Sequence, residues 1–123
     1  VSTEHPDDEQ WPGLLMLRTE GRLFFANAER FVDLLWAQVE QSKPQVVLLH
    51  CRAIFDVEYT ALKVLAELEE KLRRAGCELW LAGLNPSVLA VVERSKLGQA
   101  LGRERMFYNM QAAVEEFQRR GES

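Results

Sequence analysis

Two apolar runs restrict this chain more than any other feature. VVLLHC (46–51) and CELWLA (77–82) are short and rich in branched and aromatic residues. Neither alternates apolar with polar residues, which is the pattern of strands buried on both faces. Between them, Ala61, Leu65, Leu68 and Leu72 recur at helical spacing over 61–75. A strand, a helix and a strand in succession require a crossover. The two strands then lie parallel in one sheet, with the helix on its face.

The flanking sequence extends this unit. LLMLRT (14–19) and RLFFA (22–26) surround Glu20-Gly21, which predicts a tight antiparallel hairpin. Asn27 is placed to cap a helix over 28–41, whose inner face carries Ala28, Phe31, Val32, Leu35, Trp36 and Val39. Pro44 ends that helix. On the central helix, Glu67–Lys71, Glu69–Arg73 and Glu70–Arg74 are i,i+4 pairs in the favourable order. When exposed, such pairs contribute about 0.2–0.5 kcal/mol each. Gly76 stands where a left-handed helix end is expected. Asn85-Pro86 reads as a cap and first-turn pair opening a helix to about Lys96. A short basic loop, a brief strand at Phe107-Tyr108 and a last helix capped by Asn109 complete the chain, that helix carrying Met110, Ala113, Val114 and Phe117 on one face. The expected fold is α/β: a mixed, mostly parallel sheet of four to five strands with an N-terminal hairpin, covered mainly on one face by about four helices.

Composition excludes several classes of function. The 123 residues fit one domain, with 47% hydrophobic and 28% charged residues. A net charge of −4 gives no general attraction to nucleic acid. No apolar run approaches the roughly 20 residues that span a bilayer. The acidic lead-in VSTEHPDDEQ is unlike a signal peptide, and a first residue of Val rather than Met suggests a piece of something longer. Cys51 and Cys77 both fall in buried-strand runs, which points to free thiols in a reducing compartment. His50-Cys51 is the one pair that suggests catalysis. Neighbours on a strand point to opposite faces, so they cannot act as nucleophile and base. Zinc-ligand spacing, a P-loop and a dinucleotide fingerprint are all missing, so no metal or cofactor is expected.

Three segments carry a family resemblance: PGLLMLRTEGRLFFANAERF, VVLLHCRAIFDVEYTAL and LEEKLRRAGCELWLAGLNPSVLAVVERSKL. In this order and at these separations they resemble the STAS domain. That fold is shared by anti-sigma-factor antagonists and the cytoplasmic C-terminal part of SulP-type anion transporters. The first segment is most similar to the transporter-linked form. The resemblance covers about residues 12–119, leaving 1–11 as a flexible linker from a membrane domain and 120–123 as a tail. It implies a non-enzymatic regulatory and interaction domain of a transporter for sulfate, bicarbonate or a related anion, on the cytoplasmic side of a bacterial inner membrane. The implied partners are the parent's transmembrane domain, a second copy and cytoplasmic regulatory proteins, with no nucleic acid. The alternative it implies is a free-standing anti-sigma-antagonist-like switch.

In the signalling branch the motif is acid-Ser-Ser-Gly. By position, Glu58 takes the place of the acid, Tyr59 of the first Ser, Thr60 of the phosphoacceptor and Ala61 of the Gly. Three roles are open to Thr60: an N-cap for the 61–75 helix, the rim of an interaction site, or a phosphoacceptor. An anion at this helix start would meet repulsion from Asp56 and Glu58. Phe24, Phe25 and Asn27 form a candidate docking edge, because one of two adjacent phenylalanines on a strand must face away from the core. Arg94, Lys96, Arg103 and Arg105 form a candidate membrane-facing basic patch.

Overall fold

A computed structural model of the chain describes residues 11–121. The expected linker, apart from Trp11, and the last two residues of the expected tail lie outside the described residues. The elements in order are β1 (Leu14–Arg18), β2 (Gly21–Leu23), α1 (Phe25–Ser42), β3 (Val46–His50), β4 (Ile54–Val57), α2 (Tyr59–Arg74), β5 (Glu78–Ala82), α3 (Pro86–Glu93), α4 (Lys96–Leu101), a 3-10 turn (Arg103–Arg105), β6 (Met106–Phe107) and α5 (Met110–Gly121). Four strands form one parallel sheet in the order β1-β3-β5-β6. Leu17 lies beside Leu49, and Leu49 beside Leu81.

The continuous apolar runs arise because both faces of this sheet are covered. Val47, Leu49 and Cys51 point into a core with the inner faces of α1, α2, α3 and α4. Val46 and Leu48 point the other way, into a smaller core with Trp80 and α5, through Ala113, Val114 and Phe117. Four helices therefore cover one face and α5 the other. The helix runs through Gly121, so Arg120 belongs to the folded part rather than to a tail.

The expected hairpin between 14–19 and 22–26 does not form. β1 pairs with β3, whereas β2 pairs with β4 in a separate two-stranded sheet, and both pairings are parallel. Gly21, at φ +90°, turns the chain away from the first sheet. Its N–H then donates to Ala53 O at 2.9 Å, and Glu58 N–H donates to Leu23 O at 2.8 Å. β4 has no clear signal in the sequence, because four residues with an exposed Phe55 and Asp56 show neither a run nor an alternation.

Several local expectations hold. Gly76 adopts φ +82°, with Gly76 N–H donating to Arg73 O and Cys77 N–H to Leu72 O, which is a Schellman ending. Asn85 Oδ1 accepts from Val88 N–H at 2.9 Å, and Asn109 Oδ1 from Ala112 N–H at 2.8 Å. Of the three ion pairs on α2, Glu70–Arg74 closes to 2.7 Å and Glu69–Arg73 to 3.3 Å, although Glu69 is buried. Lys71 instead stands over the Trp36 ring, 4.0 Å from its centre. The segment read as a basic loop contains α4. A side chain at Gly98 would meet Val92 O at 2.2 Å, so glycine lets α4 press against the end of α3.

Candidate docking surface

β2 and β4 end side by side, with Leu23 opposite Val57, and α1 and α2 begin immediately beyond them. This shared end of the molecule carries four exposed aromatic side chains: Phe24 (41% exposed), Phe25 (49%), Phe55 (66%) and Tyr59 (70%). Large apolar groups left in water cost stability relative to burial, so a cluster of them marks an interaction surface more often than scattered single residues do. Phe24 and Phe25 belong to the predicted docking edge, and both are exposed.

Asn27, the third member of that edge, is not on the surface. It was expected to cap α1 from outside. Instead α1 starts at Phe25, and Asn27 lies buried in the first turn. Its Oδ1 accepts from Phe24 N–H at 2.9 Å and its Nδ2 donates to Arg22 O at 2.8 Å. It therefore braces the junction that holds the two phenylalanines outward.

The start of α2 also differs from expectation. Glu58, with extended backbone at φ −82° and ψ 153°, occupies the cap position, and Tyr59 is the first helical residue. Thr60 falls second in the helix, exposed, and its side chain caps nothing. The pairing of β2 with β4 fixes this, because Glu58 N–H is held by Leu23 O while Glu58 O already accepts from Ala61 and Leu62. No side-chain oxygen caps the N–H groups of the first turn of α1 or α2, and neither first turn carries an acid.

The charges at this end are paired within it. Arg22 lies 3.2 Å from Asp56 and 3.1 Å from Glu58. Glu58 thus serves as an ion-pair partner on the β2–β4 ribbon. From Tyr59 a groove of about 310 Å³ continues along α2, lined by Leu62, Lys63 and Ala66 and closed by Ser95 and Lys96 from the α3–α4 corner. Ala61 is fully buried in the core. The sequence reading missed Phe55 and Arg22. The only local sign of them was an aromatic inside AIFDV, a stretch with no strand pattern.

The structure divides the predicted basic patch. Arg94 is exposed at the end of α3, and Lys96 faces the groove. Arg103 pairs with Glu93 at 3.6 Å, and Arg105 with Glu78 at 3.3 Å on the α5 side. His50 and Cys51 do lie on opposite faces of the sheet. Burial pushes the Cys51 thiol up to about 12, against a backbone hydrogen bond at Ala82 that works to lower it. Burial likewise raises Cys77 to about 11. Both stay protonated at neutral pH and neither is an activated nucleophile. Among the described residues, no group of three or more His, Cys, Asp or Glu is arranged to hold a metal ion, and no helix is long and apolar enough to cross a membrane.

A sequence model of the STAS domain matches residues 5–116. The chain belongs to the STAS family. Among its relatives, a probable sulfate transporter of Mycobacterium tuberculosis is 29% identical over 119 residues, covering 95% of this chain and 21% of the relative. Sulfate transporter 3.1 of Arabidopsis thaliana is 28% identical over 123 residues, covering 91% of this chain and 19% of the relative. The chain thus spans about a fifth of the length of these transporters. Among solved structures, a sulfate transporter family protein from Wolinella succinogenes is 25% identical with a TM-score of 0.79, over 90% of this STAS domain and 89% of that chain. The unphosphorylated anti-sigma factor antagonist SpoIIAA has a TM-score of 0.74 at 13% identity, over 95% and 96% of the two chains, a likeness of fold alone.

Proposed function

We propose that this STAS domain is a regulatory and interaction module of a SulP-type anion transporter, held on the cytoplasmic side of the membrane. It docks through the aromatic end formed by Phe24, Phe25, Phe55 and Tyr59. The observation that carries this reading is the exposure of four aromatic side chains at one end whose charges are already paired. Such a surface favours an apolar partner and gives little electrostatic reason to bind a free ion. The sequence relationship supports a transporter parent, since similarity to named sulfate transporters extends over 95% of this chain. No pair of groups at this end has the geometry of a nucleophile and its base.

The test uses the full-length parent protein, with labelled-sulfate uptake as the readout. Phe24→Ser/Phe55→Ser should change uptake while the isolated domain keeps its melting temperature. Unchanged uptake at equal membrane abundance would remove the docking role.

A second reading has one observation in its favour. Thr60 is exposed in the first turn of α2, where the backbone N–H groups lack a side-chain cap and a phosphate would be stabilised by the helix dipole. Asp56 and Glu58 nearby oppose it, and Tyr59 and Ala61 replace the small residues of the signalling motif. Mass spectrometry after incubation with an anti-sigma-type kinase distinguishes the two: phosphate on Thr60 favours the switch, and an unmodified chain favours the docking module.

A further inference from the structure

We propose that the groove along α2 is a self-association surface, which receives α2 of a second copy of this chain running antiparallel to it. This assignment stands independently of the transporter reading and draws on none of Phe24, Phe25 and Phe55.

The groove, about 310 Å³ in volume, has an apolar floor and a charged rim. Leu62 is buried and Ala66 half-buried, whereas Lys63, Glu67, Glu70 and Lys96 are exposed. Glu70 is matched within the molecule, by Arg74 at 2.7 Å. Among the described residues, Lys63, Glu67 and Lys96 have no ion-pair partner, each for a local reason. Lys71, the expected partner of Glu67, is drawn over the Trp36 ring on the α1 side. Lys63 and Glu67 lie one turn apart in the order, base before acid, that pairs poorly within a helix. Glu93, three residues before Lys96, faces Arg103 instead, at 3.6 Å.

Two lysines and two glutamates give this rim no net charge, so neither a free anion nor a free cation is favoured there. A rim of both signs fits a partner that carries both signs in reversed order, and a second copy supplies one. A twofold rotation about an axis near Ala66 lays one α2 antiparallel to the other. It sets Lys63 against Glu67 of the second copy, and Glu67 against Lys63 of that copy, so each contact is made twice. A parallel arrangement would instead oppose lysine to lysine and glutamate to glutamate, which is repulsive. Ala66 puts a small side chain at the centre, where the two helices must come close. The same rotation carries the exposed Tyr59 toward the Glu70–Arg74 end of the second copy. Because the charges stand at an exposed rim, the association should weaken as salt screens them.

Sedimentation equilibrium of the intact 123-residue chain, from micromolar to millimolar concentration, tests the assignment. Dimer should form as concentration rises and recede as salt is added. Lys63→Glu and Glu67→Lys each place like charges across the axis and should weaken the dimer at least about tenfold. Both positions are exposed on α2, so each variant should keep the melting temperature of the parent. Mixing the two variants brings opposite charges together again at both contacts. The mixture should therefore associate at least about tenfold more tightly than either variant alone. A chain that stays monomeric throughout would overturn the assignment. So would single variants that dimerise like the parent, or a mixture that associates no better than its components.

Discussion

Two aromatic groups in this molecule are disposed in opposite ways. Beneath α5, Trp80 is fully buried, 5.0 Å from the Phe107 ring and 6.4 Å from Phe117, with the Arg120 guanidinium 4.9 Å from its ring. Glu78 completes this clasp by accepting from Trp80 Nε1 and Arg120 and pairing with Arg105. The helix start there is capped by Asn109. At the α1–α2 end, Phe24, Phe25, Phe55 and Tyr59 are left in water and no side chain caps the first-turn N–H groups of either helix. The first group stabilises the fold. The second adds little to it, and the likeness of this end to a half-formed interface is what argues for a partner.

Substitutions should separate the two regions, beginning with the largest effect. Trp80→Ala removes the centre of the α5 face and should cost about 3–5 kcal/mol in chemical denaturation. Asn27→Ala should cost about 1 kcal/mol, because it removes two hydrogen bonds to part-buried backbone groups at Phe24 and Arg22. It should also disorder the aromatic end, seen as shifted Phe24 and Phe25 amide signals. Asn109→Ala should cost about 1 kcal/mol as a lost cap. Thr60→Ala and Phe55→Ser should each stay within about 0.5 kcal/mol of the parent. A loss above 1 kcal/mol at Thr60 would mean that it caps α2 after all.

Acid should loosen the α5 side first. Partial burial works to raise the Glu78 pKa, but the Trp80 hydrogen bond and the charges of Arg105 and Arg120 together hold it below the ordinary carboxylate value. A depressed carboxylate contributes stability above its unfolded pKa and loses it as pH falls through the folded value. The Glu78 contribution should therefore be intact at neutral pH and fade below about pH 4.3. Trp80 fluorescence against pH, compared between the parent and Glu78→Gln, checks this: the variant should lose the acid-dependent component.

The contrast also explains what could be read from the sequence. β3, β5 and α2 were legible because burial on two faces, or on one helical stripe, writes an unbroken local pattern. Gly76, Asn85 and Asn109 were legible because capping acts within a few residues. The choice of partners for β1 and β2 was not, since Gly21 sends the chain to β4 more than thirty residues away in sequence. α4 was hidden because only Leu97, Gly98 and Leu101 are buried among polar neighbours. At the candidate site, strand alternation was expected to turn one phenylalanine outward, whereas Phe24 and Phe25 are both exposed because β2 ends at Leu23 and they form the start of α1. Phe55 was not legible, because its exposure depends on the β2–β4 pairing. As an N-cap, Thr60 was misplaced by two residues of helix register, since Glu58 holds that position.

The most direct test places a photo-cross-linking residue at position 55 or at position 111, on the exposed side of α5, in the full-length parent protein in membranes. The docking account predicts cross-links to the transmembrane part from position 55 and few from position 111. Equal yields from the two positions, or cross-links from 111 alone, would contradict it.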